Sequence, residues 1–296
     1  RECGHTFRCP NCDVPLIQHK NRNRLVCHYC DYAVRVPQEC SECGSFFLMS
    51  MGWGTERLEE ELKVLLPGAR IARLDRDTSV ARRSILTQAL QGEIDVLVGT
   101  QMISKGLHLP GVTLVGVISA DQILGFPDYR SGERAFQLLT QVAGRAGRGD
   151  IAGEVIIQTY NPEHYSLGCA RQHDFEGFYL QEMRFRKSLN YPPLSRMINI
   201  RCEGENRTSV AGHAKRLGEI ARGLSSAGHG GDIIRVLGPA QAPWEKLKSR
   251  YRFQMLLRSS DLKAMRAFCN RLLEQSAQSC PRDVRVIVDV DPIFLM

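Results

Sequence analysis

Cysteines spaced for metal binding are the most specific chemical feature of the sequence. Seven of the eleven cysteines lie within residues 1–43, and six of them form three C-x-x-C pairs. Such a pair places two thiolates on one tight turn, which is half of a tetrahedral zinc site. Disulfide bonds are the alternative, but no secretory signal is visible, and repeated C-x-x-C pairs favour zinc in a reducing compartment. The seven residues are Cys3, Cys9, Cys12, Cys27, Cys30, Cys40 and Cys43.

Two zinc ions with four thiolates each need one more ligand than this segment supplies. The simplest pairing is nested, and its inner site consists of Cys9, Cys12, Cys27 and Cys30. Its outer site consists of Cys3, Cys40 and Cys43, completed by His5, by water or by a cysteine expected at the position before Arg1. A sequential pairing also fits the spacing, since spacing alone does not fix connectivity.

Zinc in this segment is expected to be structural. A segment of ~40 residues with few large apolar side chains cannot fold on a hydrophobic core alone. His5, His19 and His28 are expected at the surface or beside ligands rather than as ligands. The remaining cysteines are isolated and are predicted to be buried or free thiols without chemistry: Cys169, Cys202, Cys269 and Cys280.

A second group of chemically active residues lies at the end of a predicted helix. The run from Gln141 to Gly149 contains Arg145 and Arg148. On a helix these arginines lie three residues apart and share one face. Paired guanidinium groups suit a polyphosphate, because they stabilise the charge that develops in phosphoryl transfer. A solvated Arg/Gly turn is the alternative.

A third polar segment directly follows a predicted buried strand. Small and polar residues at the carboxyl end of a strand are where α/β sheets bind ligands. The segment therefore predicts a ligand-binding site. Its residues are Gly99, Thr100, Gln101, Met102, Lys105 and Gly106.

The elements that must position these residues alternate between helices and strands. We predict a helix with Thr55 as its N-cap, ended by Pro67-Gly68, and a strand over Ile71–Leu74. Continuous apolar strands follow, as in a parallel α/β sheet covered on both faces. The further predicted elements are a helix around 85–90, strands over 94–98 and 112–119, a helix over 133–142 and a strand over 155–159.

The last third predicts a separate small domain. Tyr191-Pro192-Pro193 ends a long helical stretch over 175–189 and marks a boundary. The β-α-β-β-α-β order beyond it is a ferredoxin-like split unit. Its predicted elements are strand 196–202, helix 207–224, strands 233–237 and 250–258, helix 261–278 and strand 284–290.

A dense basic segment lies inside this domain. If it is extended, a period of two places five polar residues on one face: Lys246, Lys248, Arg250, Arg252 and Gln254. A basic face along a strand suits phosphates, and Trp244 nearby could stack a base for ~1–3 kcal/mol. The alternative is that Tyr251 and Phe253 are core residues and the basic face is solvated.

Charge and composition bound the class of protein. The 296 residues are 43% hydrophobic and 24% charged, which excludes a disordered tail, a collagen-like fibre and a membrane bundle. No run approaches the ~18 apolar residues of a spanning helix. The net charge is +7, and residues 191–296 hold 17 Lys/Arg against 10 Asp/Glu, so the excess lies in the last third. A polyanionic partner is expected there. Since Arg1 replaces an initiating Met, we expect a longer parent protein.

These motifs resemble a known family. Gly-Thr-Gln-Met-x-x-Lys-Gly over 99–106 and Gln-x-x-Gly-Arg-x-Gly-Arg over 141–148 are similar to motifs V and VI of superfamily 2 helicases. With the cysteine array, other segments narrow the resemblance to the PriA family of replication restart helicases (primosomal protein N-prime). Those segments are Gly54-Thr55-Glu56, Arg73-Leu74-Asp75-Arg76-Asp77-Thr78 and Phe126-Pro127-Asp128-Tyr129-Arg130.

The resemblance implies an α/β architecture in three parts. It implies a zinc-binding module over 1–45, a second RecA-like helicase lobe over 46–190 and a ferredoxin-like DNA- and partner-binding domain over 191–296. It also implies the nested cysteine pairing, two structural Zn²⁺ ions, and ATP with Mg²⁺ in the intact protein. Gln141, Arg145 and Arg148 would be catalytic.

The resemblance also implies a function. The intact protein would be a monomeric ATP-dependent 3′→5′ DNA helicase of the bacterial cytoplasm that recognises stalled forks and assembles the restart primosome. Its partners would be forked and single-stranded DNA, other primosome proteins and single-stranded-DNA-binding protein, whose acidic tail would dock on Arg250 and Gln254. The zinc module would contact DNA or primosome proteins.

One absent motif limits what this chain can do alone. The sequence contains no G-x-x-x-x-G-K-[ST] and no D-E-x-H, so it lacks the phosphate-cradling loop and the metal-binding motif of a first helicase lobe. We therefore expect no ATP hydrolysis by the isolated chain. The alternative function is a non-catalytic, zinc-stabilised platform for DNA and proteins. A zinc-ribbon protein unrelated to helicases would leave the Gln141–Arg148 motif unexplained.

Overall fold

The computed structural model divides the chain into two compact units, residues 1–50 with 185–296, and residues 51–184. Each unit is described by itself. None of the helices among the described residues is long and apolar enough to cross a membrane. The structure describes residues 3, 5, 7–11, 16–19, 23–27, 30, 32–48, 54–75, 78–100, 109, 111–144, 152–226 and 234–295.

The cysteine-rich N-terminal segment contains a small antiparallel meander. Three strands of three residues each pair in chain order, with Ile17 opposite Val26 and Leu25 opposite Val34. Strands this short bury little apolar surface, which agrees with the expectation that this segment needs metal. The strands are β1 (Ile17–His19), β2 (Arg24–Val26) and β3 (Ala33–Arg35).

The unit of residues 51–184 alternates helices and strands, as the sequence predicts. Two parallel strand pairs form, β4 with β5 and β6 with β7. The strands are less buried than predicted, since Leu114 of β6 is 57% exposed and Ile156 of β7 is 54% exposed. The elements are α1 (Thr55–Leu65), β4 (Ile71–Leu74), α2 (Arg82–Leu90), β5 (Val96–Gly99), β6 (Leu114–Val117), α3 (Asp121–Leu124), α4 (Ser131–Ala143), β7 (Glu154–Ile157) and α5 (Tyr165–Arg171). Helix α6 (Phe175–Leu189) follows.

The prediction that Thr55 caps α1 is wrong. Gly54 occupies the N-cap position, with extended backbone and no capping side chain. The Thr55 hydroxyl instead donates to the carboxylate of Asp75 at 2.6 Å, because this buried carboxylate is a charged acceptor. The guanidinium of Arg73 contacts the same carboxylate at 3.0 Å. The α1 N-terminus is thus tied to the end of β4.

The C-terminal elements form the predicted ferredoxin-like sandwich. The sheet is antiparallel in the order β11-β8-β10-β9, and two helices cover one face. Ile200, Leu217, Met255 and Phe268 are among the residues of its core, each at most 2% exposed. The elements are β8 (Arg196–Gly204), α7 (Arg207–Ser226), β9 (Arg235–Leu247), β10 (Arg250–Ser259), α8 (Leu262–Ala277) and β11 (Val284–Val290).

Candidate functional sites: cysteine clusters, an arginine motif and a basic hairpin

The described cysteines of the N-terminal segment form two separate clusters. In the first, the sulfur atoms of Cys9, Cys27 and Cys30 lie within 4.8 Å of one another, and those of Cys9 and Cys30 are 3.5 Å apart. Cys9 and Cys27 are at most 1% exposed. Cys12, the fourth predicted ligand, lies outside the described residues. Cys9, Cys27 and Cys30 are three of the four ligands predicted for the inner site of the nested pairing.

The second cluster contains Cys3, Cys40 and Cys43, again within 4.8 Å of one another. The sulfur atoms of Cys3 and Cys40 are 3.6 Å apart. Backbone N–H groups of Cys43 and Glu42 lower the pKa of the Cys40 thiol, because they stabilise its thiolate. Among the described residues no histidine joins either cluster. His5 instead places its Nε2 3.3 Å from the Ser41 hydroxyl.

Both clusters fit zinc in donor type and spacing. All donors are sulfur, which favours zinc over the oxygen-seeking ions. Zn–S bonds of about 2.3 Å in a tetrahedron place the sulfurs roughly 3.8 Å apart. The two measured separations, 3.5 and 3.6 Å, lie close to that value. Zinc held by thiolates alone would cross-link the turns and supply folding energy rather than catalysis.

The isolated cysteines behave as predicted. Cys169, Cys202 and Cys269 are buried free thiols, and Cys280 is half-buried. Burial raises the pKa of Cys202 to about 12 and that of Cys269 to about 11. These thiols therefore stay protonated and unreactive near neutral pH.

Helix α4 leads directly into the arginine motif, and its N-terminal end is fixed by Asp128. This carboxylate is buried, accepts from the Arg130 backbone N–H at 2.9 Å and pairs with the Arg134 guanidinium at 3.2 Å. Gln141 is exposed in the last turn of α4. Arg145 and Arg148 lie outside the described residues.

The buried face of α4 packs against α5 and α6. The rings of Phe136 and Phe178 stack with centroids 4.2 Å apart. Gly132 passes so close to Tyr165 that a Cβ at this position would lie 2.5 Å from the phenol oxygen. That phenol in turn donates to the buried carboxylate of Glu182. The contact between Gly132, Tyr165 and Glu182 was not predicted from the sequence. These residues lie far apart in the chain, and no local pattern links them.

The polar segment after β5 is described only at its start. β5 ends at Gly99, and Thr100 follows it with an exposed side chain, as expected for the carboxyl end of a parallel strand. The predicted contacts Gln101, Lys105 and Gly106 lie outside the described residues. Their roles stay predictions.

The basic segment is a hairpin, so the expectation of one continuous basic face is wrong. Lys248 and Ser249 have φ values of +50° and +63° and form the turn between β9 and β10. Two successive residues in this conformation turn a strand back on itself. Lys246 therefore lies opposite Tyr251 on a neighbouring strand rather than beside Arg250 on the same one.

Three of the residues predicted to bind DNA are buried or engaged within the protein. The Lys246 ammonium donates to the Pro10 carbonyl at 2.5 Å, and Trp244 packs on the first cysteine cluster. Arg252 is only 5% exposed, and burial, together with neighbouring Arg201, lowers its pKa.

The other three residues that were predicted to contact DNA or a partner protein are more accessible to solvent. Lys248 and Arg250 are exposed at the tip of the hairpin, and Gln254 is half-buried on β10. Arg250, Arg252 and Gln254 alternate along β10 and so share one of its faces.

Comparison with models of known protein families first identifies the class of protein, a helicase. Residues 46–150 match the helicase conserved C-terminal domain, which makes the α1–α4 region the second lobe of a helicase. Residues 9–35 match the PriA DNA helicase Cys-rich region, and residues 187–293 match the primosomal protein N C-terminal domain.

Individual relatives then give the family. The chain is 40% identical over 300 residues to the replication restart protein PriA of Bacillus subtilis, covering all of this chain and 37% of the relative. It is 42% identical to PriA of Synechocystis, covering 35% of the relative, and 40% identical to PriA of Treponema pallidum, covering 44%. The chain belongs to the PriA family and spans about two fifths of the length of these relatives.

Proposed function

We propose that this chain is the C-terminal portion of an ATP-dependent 3′→5′ DNA helicase that recognises stalled forks and assembles the replication restart primosome. One observation carries the proposal: the Gln141–Arg148 motif begins in the last turn of α4, within a helicase-domain match. We divide the chain into a zinc-binding module (1–45), a helicase lobe (46–190) and a DNA- and partner-binding domain (191–296).

The chemistry assigned to this chain is charge stabilisation. In the intact protein, ATP and Mg²⁺ would be held mainly by the portion that carries a phosphate-binding loop. Arg145 and Arg148 would stabilise the charge that develops on the transferred phosphoryl group, and Gln141 would help to orient them. The supports are Asp128 at one end of α4 and the Phe136–Phe178 stack along it, because a fixed helix gives its terminal residues a fixed position.

Nucleic acid is the proposed ligand of the polar loop and the hairpin. Gly99, Thr100, Gln101, Lys105 and Gly106 are assigned to the nucleotide and DNA path. Lys248 and Arg250 are the exposed cations at the hairpin tip, and Gln254 lies on the same face of β10 as Arg250. We propose forked and single-stranded DNA as ligands, with Lys246, Arg252 and Trp244 supporting the hairpin.

Proteins and zinc complete the proposal. The acidic tail of single-stranded-DNA-binding protein would dock on Arg250 and Gln254, and other primosome proteins would use the zinc module. Two structural Zn²⁺ ions are proposed, one for each cysteine cluster. The protein is proposed to act as a monomer in the bacterial cytoplasm.

The ATPase test has two arms. This chain alone should hydrolyse no ATP with or without DNA, because it lacks a phosphate-binding loop. A longer protein that includes the N-terminal portion present in the relatives should show DNA-stimulated hydrolysis. In that protein, Arg148→Ala should lower kcat by about 10³–10⁵.

The same ATPase assay includes a control variant, and it can give results that would contradict the proposal. Arg83→Ala removes an exposed arginine of α2 and should leave kcat unchanged. Normal hydrolysis by Arg148→Ala would contradict the arginine role, and ATPase in the isolated chain would contradict the assignment of roles to the two portions. If the longer protein binds DNA but never hydrolyses ATP, the non-catalytic platform is correct.

A further inference from the structure

We propose that the β9–β10 hairpin is a structural part of the first zinc centre, so that zinc binding and docking of this hairpin stabilise each other. The proposal rests on the proposed zinc site at Cys9, Cys27 and Cys30 and extends it to a hairpin whose Lys246 is 236 positions from Pro10. The hairpin and the cysteine segment lie in the same compact unit.

Two hydrogen bonds join the hairpin to the cysteine turn itself. Pro10 and Asn11 are the two residues between Cys9 and Cys12. The Pro10 carbonyl accepts from the Lys246 ammonium at 2.5 Å, and the Asn11 carbonyl accepts from the Ser249 backbone N–H at 2.6 Å. The hairpin thus holds the backbone that presents two of the predicted ligands.

Apolar contacts from the hairpin shield the thiols. Trp244 and Leu247 pack in the same cluster as Cys9 and Cys27, which are at most 1% exposed. A meander with strands of three residues has little apolar surface of its own to exclude water. Water exclusion slows ligand exchange at a zinc–thiolate centre, so the hairpin should lengthen zinc retention.

Charge favours the same arrangement. Zinc with four thiolates carries a formal charge of about −2, which a nearby cation stabilises. Lys246 and Arg8 line a cleft of about 260 Å³ next to Cys9, together with Pro10, Glu245 and Tyr251. The Lys246 ammonium also lies 5.1 Å from the centroid of the Tyr251 ring.

The turn depends on docking in return. Lys248 and Ser249 both adopt a left-handed backbone, which is unfavourable for residues other than glycine. The hydrogen bond from Ser249 to Asn11 stabilises that conformation. Coupling between two binding events is reciprocal. Loss of zinc should therefore release the tip that presents Lys248 and Arg250.

The first test measures zinc release. Metal analysis first establishes the zinc content of the parent chain, and transfer to an excess of a coloured chelator then gives release rates. Lys246→Met and Leu247→Ala should each release zinc from one centre at least about tenfold faster, while a second phase keeps its rate. Lys263→Met, on the exposed side of α8, is the matched control and should behave as the parent.

The second test uses fluorescence and needs no hairpin variant. Trp53 and Trp244 are the two tryptophans, so Trp53→Phe leaves Trp244 as the reporter. Zinc removal should shift its emission to the red and increase quenching by acrylamide. Parent release rates in both hairpin variants, or an unchanged Trp244 spectrum after zinc removal, would overturn the proposal. A parent chain without zinc would overturn the zinc site as well.

Discussion

Gly132 lies where α4 passes the phenol of Tyr165, with no room for a Cβ. Tyr165 cannot easily move away, because its hydroxyl binds Glu182 and its ring stacks near Phe178 at 5.9 Å. A close approach of this kind is specified by tertiary structure. No pattern around position 132 indicates it, whereas the cysteine clusters could be predicted because the spacing within each C-x-x-C pair is local.

Gly132→Ala should destabilise the unit of residues 51–184 by about 1–3 kcal/mol, since the added methyl group overpacks the contact. Thermal or urea unfolding measures the change. Gly168→Ala in α5 is the control, because a Cβ there meets no atom within 4 Å. In a Tyr165→Phe background the cost of Gly132→Ala should shrink. An equal cost in both backgrounds would contradict this explanation.

Pairs of elements are held by side chains that sequence periodicity does not reveal. Asp95, just before β5, accepts from the Arg70 backbone N–H at 2.7 Å and from the Arg70 guanidinium at 2.7 and 2.9 Å. Arg70 precedes β4, so this pair sets the parallel register of Ile71 with Val96. The hydrogen bonds from Arg70 lower the pKa of Asp95 to about 2.

This depressed pKa gives a pH window. The stabilisation from Asp95 is fully present above the unfolded-state pKa of about 3.9, and it is lost as pH falls towards about 2. The difference in Tm between the parent and Asp95→Asn should therefore be constant above about pH 5, be much smaller near pH 2 and vanish below it. Thermal scans across that range measure it. A difference that persists unchanged to pH 2 would rule out the Arg70 pair as its source.

The order of helices and strands was predictable where the hydrophobic periodicity agrees with the Gly and Pro residues that end these elements. Except for β9, the C-terminal strands and helices lie within a few residues of the predicted ranges, and β4 and β11 have the predicted bounds. Strand β9 ends at Leu247, ten residues beyond the predicted end at 237. The β9–β10 turn was not predictable, because turns with two left-handed residues usually contain Asn or Gly, and this one is Lys248-Ser249. The contact of Asn11 with Ser249 makes up for that unfavourable choice, and it is non-local.

Charge is distributed unevenly over the whole molecule. Residues 51–190 carry 16 Lys/Arg and 17 Asp/Glu, whereas residues 191–296 carry 17 and 10. The hairpin tip with Lys248 and Arg250 belongs to the basic part. Phosphate binding is therefore expected there, and it should depend on salt through the release of counterions.

Arg250→Ala should weaken binding of the whole chain to single-stranded DNA and reduce the slope of log K against log salt by about 0.7. Fluorescence anisotropy at several salt concentrations measures both quantities. Arg83→Ala, in the nearly neutral part, should change neither. If Arg250→Ala keeps the parental slope, Arg250 makes no phosphate contact.

The pairing of the cysteine turn with the hairpin spans 236 residues of chain. On a ribosome that adds ~5–20 residues per second, the cysteine turn emerges roughly 10–50 s before Lys246 is made. During that interval its thiols lack their apolar cover and are open to oxidation or to the wrong metal. The order of synthesis therefore leaves bound zinc as the main protection of these thiols until the hairpin has been made.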